Sequence, residues 1–364
     1  MRVLMVVGTR PEIIKLGPVY RELINRNVDV DVFWSGQHIE MTEGLWELFD
    51  MKVTYNWKFS DYSMCLSEKT ADIITGISKI INTVKYDWIV IQGDTISAMA
   101  GSLCGFLGRV PVAHVEAGLR SNNFFSPFPE EYNRRIITLG TTLHFAPTSQ
   151  SINNLIIEGI HRDDIVRTGN TVIDAIEYAS KKIDENYVPV EPKIRELDET
   201  KKLILVTMHR RENIGSNMEM VIKSIATLAE DGDKLFVLPV HMNPEVSDLV
   251  HSELGNKSNV ILVDPLVYTD MVYLLKKCWT VITDSGGLQE EVPSMNLHLI
   301  ITRDTTERPE VIDSGFGTLV GCDYFAILNR VRELTSQKDK VKLMKDNPFG
   351  DGTASVKIVD ALLR

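Results

Sequence analysis

Short β-branched runs alternate with helical stripes along nearly the whole chain, and this alternation narrows the fold more than any other feature. In the first half the runs are residues 3–7, 29–34, 88–91, 110–115, 143–146 and 165–166. Runs of this kind separated by amphipathic stretches predict parallel sheets with crossover helices. The clearest stretch carries Ile73, Ile74, Ile77, Ile80, Ile81 and Val84 at helical spacing, which predicts a helix face packed on a sheet. Residues 181–202 break the pattern, being rich in Lys, Glu, Asp and Pro with little apolar periodicity, and are expected to link two domains. The alternation resumes at residues 203–206, 235–240, 260–263, 281–282 and 297–301. With 364 residues the chain is long for one core. The expected division is a first α/β domain over residues 1–180, the linker, a second α/β domain over 203–345, and a C-terminal helical segment over 346–364. That last segment has a stripe of Val356, Ile358, Val359, Leu362 and Leu363 and should cap one of the domains. Each half also begins with a strand running into a basic turn, VVGTRPE at 6–12 and VTMHRRE at 206–212. Two similar units facing each other would bring both turns to a central cleft.

The charge balance excludes some partners. A formal net charge of −11 argues against nucleic acid, whose phosphates need a basic face. An anionic small molecule would need positive charge gathered locally, and Arg10, Lys15, His209, Arg210, Arg211 and Arg308 are the candidates. No apolar run is long enough to span a bilayer. The opening MRVLMVV runs straight into Arg10-Pro11-Glu12 and is expected to be the first strand, not a signal peptide. Cys65, Cys104, Cys278 and Cys322 have no paired spacing, which fits reduced thiols in a cytoplasmic protein.

The residues with chemical potential gather where strands end, the edge at which α/β proteins bind ligands. VPVAHVEAGLRSNNFFSPFPEEYNRR, residues 110–135, reads as a buried strand ending at Glu116. A Gly turn and a loop with Pro127 and Pro129 follow, then a helix that starts with Glu130 and Glu131 and carries Arg134 and Arg135. QGDT at 92–95 places Asp94 at another strand-to-helix junction, either as a helix N-cap or as a catalyst. Were the two strands neighbours, Asp94 and Glu116 would share one edge. His114 and Glu116 lie on one side of a strand, but no further ligand pattern accompanies them, so His114 is expected to be a hydrogen-bonded core residue and no metal is expected.

Four turns fit anions. GTRPE at 8–12 joins a glycine to a helix start with Pro11, and is either an anion site aided by Arg10 or an ordinary turn with a surface arginine. It is not the G-x-G-x-x-G fingerprint, so nothing supports NAD. MHRREN at 208–213 suits a diphosphate or is a solvated charge run. DSGGLQEE at 284–291 follows a strand with small residues and exposed helix N–H groups, a combination that cradles phosphate, and Glu290 and Glu291 could accept bonds from the sugar hydroxyls of a nucleotide. RDTTERPE at 303–310 is a further arginine-rich turn.

Taken in order, GTRPE, QGDT, HVEAGLR, SPFPEE, GNTVID, HRRE, PVHMNP, TDSGG-x-QEE and RDTTERPE resemble the non-hydrolysing UDP-N-acetylglucosamine 2-epimerases, and the resemblance extends from Arg2 to the NPFGDG motif at 347–352. It implies the glycosyltransferase-B architecture, two Rossmann-like domains facing a central cleft, and a homodimer. It also implies that the last helix returns to the first domain. The implied reaction converts UDP-GlcNAc to UDP-ManNAc and back without a cofactor. UDP is eliminated to leave 2-acetamidoglucal, then adds back with a proton on the other face. On the matching motifs the acid/base candidates are Asp94, Glu116 and Glu130, with His209 at the diphosphate. Arg10, Ser285, Gly286, Gly287 and Arg308 would hold UDP, and Glu291 the ribose. Lys15 and Arg134 match positions lining the cleft.

The chemistry is consistent with that assignment, because inverting C2 needs proton exchange on both faces of the ring. One carboxylate serves both faces poorly, and the departing diphosphate needs electrostatic support. The resemblance also implies a second, regulatory UDP-GlcNAc near Gln37, Glu40 and His241. In the family an arginine usually stands where this chain has Asp72, so weak or altered activation is expected. A glycosyltransferase of the same fold, a hydrolysing 2-epimerase that releases ManNAc and UDP, and a non-enzymatic UDP-sugar sensor are the competing readings.

Overall fold

In the computed structural model, which describes residues 1–37, 42, 44–59, 63–208, 215–240, 243–337, 343 and 345–364, the apolar runs become parallel strands. The chain divides into one unit of Met1–Tyr178 with Phe349–Arg364 and another of Ala179–Pro348.

In the first unit, β1 (Arg2–Val7), β2 (Asp29–Trp34), β3 (Val53–Asn56), β4 (Trp88–Gln92), β5 (Val112–Val115), β6 (Leu143–Ala146) and β7 (Ile165–Arg167) form one parallel sheet in the order β3-β2-β1-β4-β5-β6-β7. The described helices are α1 (Arg10–Asn25), α2 (Leu45–Leu48), α3 (Leu66–Thr83), α4 (Ile96–Gly108), α5 (Glu130–Gly140), α6 (Ser149–Ile157) and α7 (Thr171–Lys182). The order reverses between β1 and β4, so the turns leaving these strands splay apart and open a crevice at their carboxyl ends. The isoleucine stripe packs as expected. Ile73, Ile77 and Ile80 of α3 are buried with Ile89 and Ile91 of β4 and Phe33 of β2, and Ile74 and Ile81 flank them. The edge strand β3 escapes the sequence pattern because its side chains alternate between half-buried and exposed.

The second unit repeats the plan. Its strands β8 (Lys202–Thr207), β9 (Lys234–Pro239), β10 (Val260–Val263), β11 (Thr280–Thr283), β12 (His298–Ile301) and β13 (Gly317–Leu319) are parallel in the order β10-β9-β8-β11-β12-β13. The switch point lies between β8 and β11. The described helices are α8 (Ser216–Ala229), α9 (Pro244–Leu254), α10 (Tyr268–Lys277), α11 (Gly286–Glu291), α12 (Pro309–Asp313) and α13 (Tyr324–Thr335). No described helix of either unit is long and apolar enough to cross a membrane.

The segment expected to be a linker is instead packed onto the second unit. The carboxylate of Asp270, on α10, is nearly inaccessible to solvent. It accepts hydrogen bonds from the Tyr187 hydroxyl at 2.6 Å and from the backbone N–H groups of Val190 at 3.0 Å and Glu191 at 2.8 Å. Ile194 is fully buried, and Lys193 Nζ donates to the Leu262 carbonyl at 2.7 Å. The segment is anchored by satisfying a buried charge, which leaves no apolar period to read. The boundary between the units falls inside α7, between Tyr178 and Ala179.

The last helix, α14 (Ala354–Leu362), packs on α1 in the first unit with Ile358, Val359 and Leu362 buried. Asp174 of α7 holds its start. Its carboxylate accepts from the Ser355 N–H at 2.8 Å, the Ser355 hydroxyl at 2.6 Å and the Ala354 N–H at 3.2 Å. These are orphan donors of a helix N-terminus, where a carboxylate is also favoured by the helix dipole. Asp174→Ala would strand buried donors and should cost about 2–3 kcal/mol. The check is urea unfolding, with a lower midpoint expected; an unchanged midpoint would mean that α14 is anchored by its apolar face alone.

Candidate active site

β4 and β5 are adjacent and parallel, with Gln92 opposite Val115. Asp94 and Glu116 therefore leave neighbouring strands at one edge of the first sheet. Glu116 has a left-handed backbone at φ 67°, a conformation that costs a non-glycine residue about 1–2 kcal/mol. The turn aims its carboxylate into the unit, where it is almost wholly buried. Lys15 of α1 places Nζ 2.7 Å from Oε1 and 2.6 Å from Oε2. Gln92 donates through Nε2 to Oε2, and Asn170, just before α7, donates through Nδ2 to Oε1 at 3.2 Å. A buried carboxylate must be paired and hydrogen-bonded, and this one draws partners from three elements.

Asp94 is not the N-cap of α4. Thr95 is, its hydroxyl accepting from the Ala98 N–H at 3.0 Å. That leaves the Asp94 carboxylate to Arg134 of α5, whose Nε and Nη2 lie 2.8 and 2.7 Å from Oδ2. Asn133 donates to the Asp94 carbonyl at 2.8 Å, so two consecutive residues of α5 grip one turn. Glu130 opens α5 four residues before Arg134 and so shares its face. Its Oε2 is buried without a hydrogen-bond partner among the described residues. Glu131 is nearly inaccessible to solvent. It accepts from the Ser121 N–H at 2.9 Å, Arg134 Nη1 at 3.2 Å and Arg135 Nε at 3.1 Å. Burial alone would raise its pKa, but the Ser121 N–H and the Arg134 guanidinium outweigh burial and hold it below the usual range. Arg120 and Arg135 meet on Glu158, Arg120 at 2.6 and 2.7 Å and Arg135 at 2.5 Å, which ties the start of the proline loop to α5 and α6.

Glu12 is the site-edge carboxylate that the sequence reading missed. It is the third residue of α1 after Thr9 at the N-cap, and it is nearly inaccessible to solvent. It accepts from the Gly8 N–H at 3.0 Å, the Thr9 hydroxyl at 2.7 Å and the Thr95 hydroxyl at 2.8 Å. It thus straps the β1–α1 turn to the β4–α4 turn across the switch point. Burial pushes its pKa up to about 7 against those three donors, and Asp94 adds to the rise. The spacing T-x-x-E of a capping box was the available signal. Arg10 occupies the first position of α1. Gln37 is tied into the same turns. Its Oε1 accepts from the Ser97 hydroxyl at 2.8 Å, and that hydroxyl lies 2.7 Å from the Ser35 hydroxyl. Asp72 accepts from Trp57 Nε1 at 2.9 Å.

His114 is a core residue. Its Nε2 lies 2.8 Å from the Gly93 carbonyl and its Nδ1 is buried without a partner among the described residues. Burial depresses its pKa to about 3, so the ring is neutral at ordinary pH. Among the described residues no group of three or more His, Cys, Asp or Glu side chains is placed to hold a metal ion.

In the second unit the SGG turn leaves β11 beside the switch point. Thr283 sets its geometry. Its hydroxyl accepts from the Ser285 N–H at 2.9 Å and lies 2.7 Å from the Thr207 hydroxyl of β8. Ser285 stands at the N-cap of α11 with no side-chain capping bond. A Cβ at Gly287 would come 3.6 Å from Glu291 Oε1, so that carboxylate folds back beside the turn that Gly286 and Gly287 begin. Glu290, expected to face a sugar hydroxyl, is buried against Arg308, whose Nε lies 2.5 Å from Oε1. Arg308 is further shaped by its own N–H donating to the Thr306 hydroxyl at 3.1 Å, while that hydroxyl donates to Gln289 at 2.5 Å. His209 with Arg210 and Arg211, and also Glu40 and His241, lie outside the described residues.

Two doubly wound parallel sheets, each with polar side chains at its switch point, define a chain of the Rossmann-like, glycosyltransferase-B-like class. The comparisons sharpen this. The sequence profile of the UDP-N-acetylglucosamine 2-epimerase family matches residues 21–363. The UDP-N-acetylglucosamine 2-epimerase of Campylobacter jejuni is 39% identical over 373 residues, covering 100% of this chain and 97% of its own. The crystal structure of UDP-GlcNAc 2-epimerase from Neisseria meningitidis bound to UDP-GlcNAc is 38% identical with a TM-score of 0.89, covering 100% of both chains. That of the Methanocaldococcus jannaschii enzyme in complex with UDP-GlcNAc and UDP is 31% identical with a TM-score of 0.80, covering 100% of this chain and 99% of that one. The chain belongs to the UDP-N-acetylglucosamine 2-epimerase family.

The buried Glu12 makes a pH prediction. Its folded pKa is raised, so its contribution to stability is fully present below the unfolded value near 4.5 and is lost as pH rises through about 7. The loss amounts to roughly 3 kcal/mol. Glu12→Gln has no carboxyl to ionise, so its stability relative to wild type should improve between pH 5 and pH 8. Urea midpoints at the two pH values provide the check, and a constant offset would contradict the raised pKa.

Proposed function

We propose that this chain interconverts UDP-GlcNAc and UDP-ManNAc by a non-hydrolysing elimination and re-addition. The observation that carries the reading is the cluster of carboxylates at one sheet edge, each in a different environment. Glu116 is neutralised by Lys15, Asp94 is gripped by Arg134, and Glu130 keeps a buried oxygen without a partner among the described residues. A 2-epimerase needs such a set. One carboxylate takes the C2 proton, the C–H electron pair becomes the C1=C2 double bond, and the C1–O bond breaks with its electrons leaving on UDP. In return UDP attacks C1 and a proton is delivered to the opposite face of C2. No oxidant or reductant enters this balance, so NAD is not called for.

In this reading Asp94, Glu116 and Glu130 share the proton transfers, and Lys15 and Arg134 set the charge and aim of the first two. His209 acts at the diphosphate. Arg10, the N–H groups at Ser285, Gly286 and Gly287, and Arg308 hold UDP, with Arg308 aimed by Glu290, and Glu291 takes the ribose. The family's activating UDP-GlcNAc is expected to act weakly, since Asp72 is acidic and already engaged by Trp57. Exposed Phe106 and Leu107 at the end of α4 and Leu139 at the end of the neighbouring α5 support a homodimer through these helices.

The test is UDP-GlcNAc with purified protein and no acceptor, followed by proton NMR. UDP-ManNAc should accumulate to an equilibrium mixture, and Glu116→Gln and Asp94→Asn should each lower turnover about 100- to 10,000-fold while UDP still binds. Accumulation of free ManNAc with stoichiometric UDP would replace the proposal with a hydrolytic one. Binding without turnover would make the protein a sensor.

A further inference from the structure

The C-terminal return segment has no place in the chemistry above, yet it touches the residue that holds Glu116. Three of the contacts of Asn170 reach different parts of the unit. Its N–H donates to the Phe349 carbonyl at 2.7 Å, its Oδ1 accepts from the Val172 N–H at 3.1 Å, and its Nδ2 donates to Glu116 Oε1 at 3.2 Å. One residue therefore joins the return segment, the start of α7 and the strand-edge carboxylate. The fit on the segment's side is tight. Gly169, at φ 84°, lies so close that a Cβ on it would come 3.1 Å from both the Phe349 carbonyl oxygen and the Gly350 Cα. Gly350 has φ 147°, and a Cβ there would sit 3.4 Å from the Gly169 Cα. Phe349 is itself buried. Downstream, Asp174 on the same α7 fixes the start of α14. The contacts around residues 349–355 thus converge on α7 and its preceding loop, at the end that carries Asn170.

We infer that the return segment at 349–352 is a positioning element for Glu116, with Asn170 as the positioning residue that carries its placement to the carboxylate. The inference rests on the reading of Glu116 as a catalytic group. Its physical basis is that Glu116 is buried, so the direction of its oxygens is set by its partners. Lys15 supplies charge but has a flexible stem, whereas a short amide on a capped helix start fixes an angle. The Asn170 amide keeps its orientation because Oδ1 is committed to the helix cap, which leaves Nδ2 to face Glu116.

The test separates capping from positioning. Asn170→Ser keeps a capping oxygen and removes the donor that reaches Glu116 without adding charge, so unfolding should be near that of wild type while kcat falls about 10- to 100-fold with KM little changed. Asn170→Ala loses both, so stability and kcat should fall together. Gly350→Ala, which alters the return segment where it packs on Gly169 and Asn170, should lower kcat. In the double variant with Asn170→Ser the losses should be less than multiplicative, since both act on one contact. Wild-type kcat in Asn170→Ser, or fully multiplicative losses, would overturn the inference, provided that Glu116→Gln is inactive. Full activity in Glu116→Gln would instead overturn the catalytic reading of Glu116.

Discussion

A carboxylate buried at the end of a central strand cannot be left alone. Desolvating an unpaired ion costs several kcal/mol, and the first unit answers this at Glu116 with a lysine, a glutamine and an asparagine drawn from α1, β4 and the loop before α7. The consequences spread outward. Lys15 requires the helix after β1 to lie over the switch point. Gln92 requires β4 beside β5. Asn170 requires the start of α7, which in turn is seated on the return segment. The left-handed backbone of Glu116 is tolerated because these partners over-determine it.

The same logic separates the other acidic groups into roles. Asp94 and Glu131 share Arg134, so the arginine is aimed from both sides and α5 is drawn to the β4 turn. Glu130, one residue before Glu131, has an oxygen that no donor among the described residues reaches. Glu12 accepts from hydroxyl and backbone donors and is raised towards neutrality mainly by burial. Four carboxylates lie at or near one sheet edge, and differences in burial and partners divide them into a neutralised, a clamped, an unpartnered and a strap group.

Much of this was legible in the residues. The β-branched runs located both sheets, because strands covered on both faces are apolar throughout. Asp94 and Glu116 were placed at strand ends by the same runs. What escaped followed from physics that leaves no local pattern. β3 is half exposed. The segment around Tyr187 is held by one buried aspartate. Lys15 and Glu116 pair across 101 positions. The Asp-Thr of QGDT offers two caps, and only the fold shows that Thr95 takes the role and leaves Asp94 to Arg134. Glu12 carries a readable T-x-x-E spacing, but the bond that makes it a strap, from Thr95, comes from 83 residues away.

The central claim is that protein carboxylates exchange the proton at C2 during epimerisation. Incubating the protein with UDP-GlcNAc in D2O tests it most directly. Deuterium should enter C2 of the ManNAc nucleotide and, as equilibrium is approached, of the GlcNAc nucleotide as well. An epimerised product that keeps its original hydrogen at C2, or no exchange in either sugar, would contradict the account.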